Sequence, residues 1–183
     1  EWHDARDHDQ YIYLDWNPNG SFLASSFKGA LIFWNTSSWE VHYFIYVPGP
    51  IFTIEWSPNG SMVAVTNHFG LAVVSFEDRA IIKTEGNSRR TLRNFSGASW
   101  SPDGSLLIVT SYEMYNHVAY IYNSRNFNVV TILEGHSDLL ADARWSSDGN
   151  VLVTTSVDDT IVFWNPSNWS IIQRFNLSRS AGE

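Results

Sequence analysis

The sequence predicts an all-β fold made of four consecutive four-stranded antiparallel sheets. Three observations predict it. One five-residue motif recurs four times, as WNPNG from Trp16, WSPNG from Trp56, WSPDG from Trp100 and WSSDG from Trp145, at spacings of 40, 44 and 45 residues. Repetition at this period marks an array of supersecondary units, each too small to bury its own apolar surface. The intervals hold short runs rich in Val, Ile, Thr and aromatic residues, and no segment sustains the 3.6-residue period of a helix. Aromatic residues reach 15%, nine of them Trp, which suits large flat side chains packed between sheets.

Each unit reads in the same order. A first apolar strand, such as IFTIEW or LADARW, ends on the anchor Trp. The turn that follows carries Asn-Gly or Asp-Gly, which supply positive φ, and in three copies a Pro that presets the bend. The second strands are FLASSF, MVAVTN, LLIVTS and VLVTTS; the third are ALIFWN, LAVVSF, VAYIYN and TIVFWN. VHYFIY, AIIKT, VVTIL and SIIQRF close the units. The four units run over about 8–46, 47–87, 88–133 and 134–177. A lone four-stranded sheet leaves an apolar face wet, whereas face-to-face stacking with Trp and Phe between the sheets covers it. That arrangement is a β-propeller, and each unit is a blade.

The fourth unit, GHSDLLADARWSSDGNVLVTTSVDDTIVFWN, resembles a WD40 repeat. It opens on Gly135-His136, turns at Asp148-Gly149 and places Trp164-Asn165 where that family has Trp-Asp. The resemblance implies a hydrogen-bonded tetrad bracing the blade, formed by position from His136, Ser156, Asp158 and Trp164. The other units drift from the pattern. The first keeps Trp34 and Ser26 but has Lys28 at the Asp position, with His8 one residue out of register. The second has Val74 for the Trp and His68 for the Asp, and the third has Tyr122 for the Trp. The resemblance extends from about Asp7 to Leu177.

WD40 propellers usually hold seven blades, and this chain shows no spare strand with which to close a ring of its own. Four blades in an arc leave two open flanks, to which Phe22, Leu31, Phe33, Val162 and Phe163 belong as members of the flanking sheets. Further blades or a second subunit are expected to cover them, because apolar faces of that size are rarely left wet.

Composition narrows the function classes. A formal net charge of −8 argues against a general binder of nucleic acid. No apolar run reaches the length of a membrane span. The absence of cysteine excludes disulfides and thiolate chemistry. The opening EWHDARDHDQ is polar and acidic, unlike a signal peptide, which points to an intracellular, cytoplasmic or nuclear setting. The six Asn-x-Ser/Thr triplets, at Asn19, Asn35, Asn59, Asn94, Asn168 and Asn176, then reflect turn chemistry rather than glycosylation.

Enzyme signals are sparse. His3, Asp4, Asp7, His8 and Asp9 crowd together without the spacing of a metal motif, and a solvated acidic terminus accounts for them. GASWS at Gly97 lacks the second glycine and the following helix of a nucleophile elbow. Asp158-Asp159 is explained by its turn. No catalytic residue, metal site or cofactor is expected.

One stretch invites a partner. KTEGNSRRTLRNFSG, between the second and third blades, puts Lys83, Arg89, Arg90 and Arg93 into an acidic protein. Connections of this kind share one end of a propeller with the turns between second and third strands, so Tyr112, Met114 and Tyr115 are expected beside them. Loops on a rigid scaffold carry recognition, and Arg grips carboxylate or phosphate with two parallel hydrogen bonds. The expected function is a noncatalytic scaffold for a protein or peptide partner. The alternatives are an acidic or phosphorylated ligand, a phosphoinositide or phosphopeptide, bound by the basic loop, and an enzymatic or metal-binding propeller.

Overall fold

The computed structural model describes residues 12–67, 69–85, 87–88, 91–92, 95–111 and 117–177. Four antiparallel sheets of four strands follow one another along the chain, each in simple up-and-down order. Blade 1 holds β1 (Leu14–Trp16), β2 (Phe22–Phe27), β3 (Ala30–Asn35) and β4 (Glu40–Tyr46). Blade 2 holds β5 (Ile51–Trp56), β6 (Met62–Asn67), β7 (Gly70–Ser75) and β8 (Ala80–Glu85). Its connection to the next blade carries a short ribbon, β9 (Asn87–Ser88) paired with β10 (Thr91–Leu92), that the sequence pattern does not announce. Blade 3 holds β11 (Phe95–Trp100), β12 (Leu106–Ser111), β13 (Val118–Asn123) and β14 (Val129–Glu134). Blade 4 holds β15 (Leu140–Trp145), β16 (Leu152–Ser156), β17 (Thr160–Asn165) and β18 (Ser170–Asn176). Among the described residues no helix is long and apolar enough to cross a membrane.

The motif turns behave as their residues require. Gly20, Gly60, Gly104 and Gly149 all take positive φ, from 69° to 74°, a region that costs an L residue its Cβ clearance. Ser57 and Ser101 bridge their turns: each hydroxyl accepts from the backbone N–H that opens the next strand, at 2.9 Å, and donates to the turn Asn59 or Asp103. A second turn, between third and fourth strands, breaks the usual rule. Trp39, Arg79, Phe127 and Trp169, one per blade at equivalent places, hold φ between 52° and 61°. Trp39 and Trp169 turn edge-on to the anchors of their own blades, at 6.4 Å from Trp16 and 6.3 Å from Trp145. These aromatic contacts are worth about 0.5–1.5 kcal/mol each and offset the strain.

Strand alternation gives each blade two faces, one turned back toward the preceding blade and one turned forward toward the next. Three apolar clusters fill the three boundaries. Leu31 and Phe33 from the forward face of blade 1 meet Val63, Val65 and Val74 of blade 2. Leu71 and Val73 of blade 2 meet Leu107, Tyr120 and Tyr122 of blade 3. Ile108 and Ile121 of blade 3 meet Leu152, Val162 and Trp164 of blade 4. The residue at the Trp-Asp position, Trp34, Val74, Tyr122 or Trp164, therefore always faces backward. In the two inner blades both faces are covered, and every residue of β7 is buried.

The flanking blades are covered on one side only. On blade 4, Val162 packs inward while Phe163 looks out and is only half-buried. On blade 1, Leu31 and Phe33 pack inward, while Leu23, Ile32 and Trp34 face the open side. Of the five residues named from the flanking strands, of which alternation is expected to send only some to the open side, Phe163 lies there; Leu31, Phe33 and Val162 belong to core, and Phe22 packs on Phe76 of blade 2, ring centroids 4.7 Å apart.

Candidate functional site

The recurring Trp closes the boundary between blades. Trp56 donates its indole N–H to the carbonyl of Asp15, Trp100 to that of Glu55 and Trp145 to that of Ser99, at 3.1, 3.1 and 3.3 Å. In each case the acceptor is the residue just before the preceding blade's own Trp. One motif copied four times thus builds one joint copied three times. Further bonds tie the inner strands together: Trp56 N–H donates to the Asp15 carboxylate at 2.7 Å, Thr53 Oγ1 to Ser96 O at 3.1 Å and Ser96 Oγ to Leu140 O at 2.8 Å.

These inner strands line a cleft of about 430 Å³ in which β1, β5, β11 and β15 converge. Its charged groups are Asp15, Glu55, Asp142 and Arg144. The Arg144 guanidinium reaches past blade 3 to both oxygens of Glu55, each at 3.3 Å, and Nε lies 3.3 Å from Asp142. Gly97 on blade 3 leaves space beside Asp142, where a Cβ would come within 3.4 Å of its Oδ1. Burial pushes the Glu55 carboxyl up to about 7 against the pull of Arg144, and Asp15 and Asp142 push it the same way. Burial also raises Asp15, opposed by the backbone bond from Trp56. Three carboxylates share one cation here, so the cleft carries an excess of negative charge when all are ionised. None of the four residues stood out in the sequence. The spacing of Asp15 and Glu55 immediately before the anchor Trp in successive copies was the available signal.

In blade 4 the hydrogen-bonded network holds His136, Asp158, Trp164 and Thr154. Trp164 Nε1 donates to Thr154 Oγ1 at 2.9 Å, His136 Nε2 lies 2.8 Å from the same hydroxyl, and His136 Nδ1 lies 3.0 Å from Asp158 Oδ2. Ser156, expected in this role from its place in the sequence, lies elsewhere: its hydroxyl donates to Asp138 O at 3.0 Å and accepts from Asp158 N–H at 3.1 Å. The correction follows from the antiparallel register. Leu152 pairs with Trp164 and Thr154 with Val162, so Thr154 shares the backward face with the indole. The same shift applies in blade 1, where Trp34 donates to Ser25 Oγ at 2.9 Å, not to Ser26.

The network fixes its own protons. Asp158 accepts from Thr160 Oγ1 at 2.6 Å and from Ser137 N–H at 2.8 Å. Burial alone would raise its carboxyl, but the bonds from Thr160, Ser137 and His136 outweigh it and hold it well below the usual carboxylate range. Burial depresses the His136 imidazole more than Asp158 raises it, so the ring is neutral at pH 7. A neutral ring that donates from Nδ1 to Asp158 accepts at Nε2 from Thr154, whose oxygen is then free to accept from Trp164.

Arg89, Arg90, Arg93, Tyr112, Met114 and Tyr115 lie outside the described residues, as do His8 and His68. Lys83 is described, and its ammonium pairs with Glu85 at 3.1 Å on the same strand. Among the described residues no three His, Cys, Asp or Glu side chains are arranged to hold a metal ion. A shallow groove of about 450 Å³ between the turns of blades 3 and 4 is lined by Pro102, Asp103, Trp145 and Asp148. Both of its carboxylates are occupied by the serines or asparagine of their own turns.

The family model described as WD domain, G-beta repeat matches residues 4–35 and 127–165. These matches, together with the four stacked blades, support a WD40-repeat β-propeller. The second match begins in the turn before the outer strand of blade 3 and ends on the third strand of blade 4, so the WD40 repeat as written in sequence straddles two blades. Echinoderm microtubule-associated protein-like 4 of Mus musculus is 26% identical over 139 residues, covering 74% of this chain and 14% of that protein. Among solved structures, Kuenenia stuttgartiensis hydrazine synthase shares the fold with a TM-score of 0.79 at 19% identity, covering 94% of this chain and 51% of that one. The WD40 segment described here thus spans a small part of the one and about half of the other.

Proposed function

We propose that this WD40 segment is a noncatalytic interaction scaffold that takes a cationic side chain of a protein or peptide partner into the inner-strand cleft. WD40 propellers serve in general as protein-interaction scaffolds. The observation that supports this site is the convergence of Asp15, Glu55 and Asp142 from three blades on one cleft, with Arg144 as their shared cation. The cleft opens on a rigid frame, since each of its strands is stapled to the next by an anchor Trp. Recognition by charge on a fixed scaffold gives specificity and fast encounter more than raw affinity.

The test is a peptide array of basic, acidic and phosphorylated sequences of equal length. Basic peptides should bind, and Glu55→Gln or Asp15→Asn should weaken them severalfold. Their binding should also tighten as pH rises through about 7, where Glu55 gains its charge. Preferential capture of acidic or phosphorylated peptides, lost on replacing Arg89, Arg90 and Arg93 by Glu, would transfer the site to the basic loop. Equal binding by wild type and both cleft variants would remove the cleft from recognition. The relative named for microtubule association is far longer than this chain, and copelleting with microtubules tests directly whether this segment takes part. Metal analysis and a broad hydrolase screen address the enzymatic alternative.

A further inference from the structure

The cleft proposed to take a partner's cation already holds one. Arg144 rises from β15 on the same side of that strand as Asp142, and its guanidinium crosses to Glu55 of β5, two blades away. Three features mark it as a loosely held occupant. A single nitrogen, Nη1, serves both Glu55 oxygens at 3.3 Å, and Nε stands 3.3 Å from Asp142 Oδ2. Charge-assisted N–H···O bonds close to about 2.7–2.9 Å, and Arg grips a carboxylate best through two parallel bonds. Neither condition is met, and among the described residues Nη2 makes no hydrogen bond. The Arg144 side chain is 55% exposed, whereas that of Glu55 is 24% exposed. An ion pair with one partner that wet contributes little to stability. Asp15, the third carboxylate, lines the same cleft and forms no ion pair among the described residues.

We infer that Arg144 is a built-in competitor for this cleft: it occupies the seat of a partner's arginine and swings aside when that arginine binds. The inference rests on the cleft reading above and adds to it the class of cation and the contact that opposes binding. The Glu55 carboxylate turns both oxygens to one nitrogen, a seat that a guanidinium arriving end-on fills with two parallel bonds. A Lys ammonium is a point charge without that fork. Exchange of one guanidinium for another keeps Glu55 paired, so no partly buried carboxylate is stranded. The displaced Arg144 keeps Asp142, on its own strand, as a partner. Its backbone stays in place, because Arg144 pairs with Val153 in the sheet. Only an exposed side chain moves, and such rotamer changes take picoseconds to nanoseconds, so the competitor sets affinity and imposes no slow gate. The cleft, about 430 Å³, has room for the exchange.

The test is fluorescence anisotropy with a labelled tri-arginine peptide, compared with tri-lysine and tri-glutamate. Arg144→Gln should tighten tri-arginine severalfold and tri-lysine less. Arg125→Gln removes the same charge from the exposed turn after β13 and should leave the affinity nearly unchanged, which separates competition in the cleft from a change in net charge. In a Glu55→Gln background the gain from Arg144→Gln should vanish, because the contested carboxylate is gone. Binding that Arg144→Gln leaves unchanged or weakens, while Glu55→Gln still weakens it, would overturn the competitor and leave the cleft reading standing, with Arg144 as a positioning residue. A gain that persists without Glu55, or that Arg125→Gln matches, would overturn it as a plain charge effect. An equal gain for tri-lysine would overturn the assignment of the cation as arginine. Binding that ignores both Glu55→Gln and Asp15→Asn would remove the cleft itself and the competitor with it.

Discussion

Trp100 donates its indole N–H to the carbonyl of Glu55, 3.1 Å away in the preceding blade, and Trp56 and Trp145 repeat that bond. The joint combines a buried ring with one directional contact, and the two can be separated. Trp100→Phe keeps most of the ring and should cost about 1 kcal/mol for the lost hydrogen bond. Trp100→Ala should cost about 3–5 kcal/mol by opening a cavity in the core. Denaturant melts read both, and Trp16→Phe, at an exposed ring whose indole N–H has no acceptor among the described residues, should cost less than Trp100→Phe.

Thr154 rather than Ser156 should govern the stability of blade 4. Thr154→Val removes the hydroxyl that links Trp164 to His136 and strands two buried polar groups, at a cost of about 1–3 kcal/mol. Ser156→Ala loses the bond to Asp138 O and the one from Asp158 N–H, both in a partly exposed turn, and should cost less. Trp164→Ala should cost about 3–5 kcal/mol. Equal effects of the two hydroxyl deletions in urea melts would contradict the observed register.

Glu55 ties stability to pH in an unusual direction. Its folded pKa of about 7 stands above the ordinary 4.5, so the folded chain holds a proton that the unfolded chain has released. That contribution is fully present below 4.5 and is lost as pH rises through about 7. Glu55→Gln should therefore gain on the wild type across that window, as measured by melts at fixed ionic strength. A stability difference independent of pH would place the Glu55 titration at its ordinary value.

His136 and Asp158 act with the opposite sign. Both are lowered on folding, so their stabilisation is present at neutral pH and is lost on acidification, beginning for the imidazole as pH falls below 6.5. The stability gap between wild type and His136→Gln should narrow through that range. Nitrogen-detected NMR should find the Nδ1–H tautomer at pH 7. The Nε2–H form would break the proposed chain of donors from Trp164 through Thr154 to His136.

The fourteen strands spelled out in the sequence coincide with those of the structure to within a residue at either end, from FLASSF as β2 to TIVFWN as β17, because period-two alternation and Asn-Gly or Asp-Gly turns are local properties. The β9–β10 ribbon was not legible, since two-residue strands have no periodicity to display. The tetrad shows where local reading fails. His136, Asp158 and Trp164 carry distinctive side chains, but TTS offers three hydroxyls in a row, and only the pairing of Leu152 with Trp164 selects Thr154. The inner cleft was invisible for a related reason: Asp15, Glu55, Asp142 and Arg144 are scattered over 130 residues, and only the convergence of four first strands brings them together.

The sequence by itself determined the four units, their strand order and the propeller architecture, because each unit is written within a window of about 45 residues and then repeated. Only the tertiary structure decided which face of each strand is core. Phe33 and Phe163 each follow a β-branched residue and precede Trp-Asn, at the same place in their sheets, yet one is sealed and the other half-covered. Burial is set by what lies across the blade boundary. Apolar stabilisation scales with area removed from water, and no residue's own sequence neighbourhood states whether another blade is there to remove it.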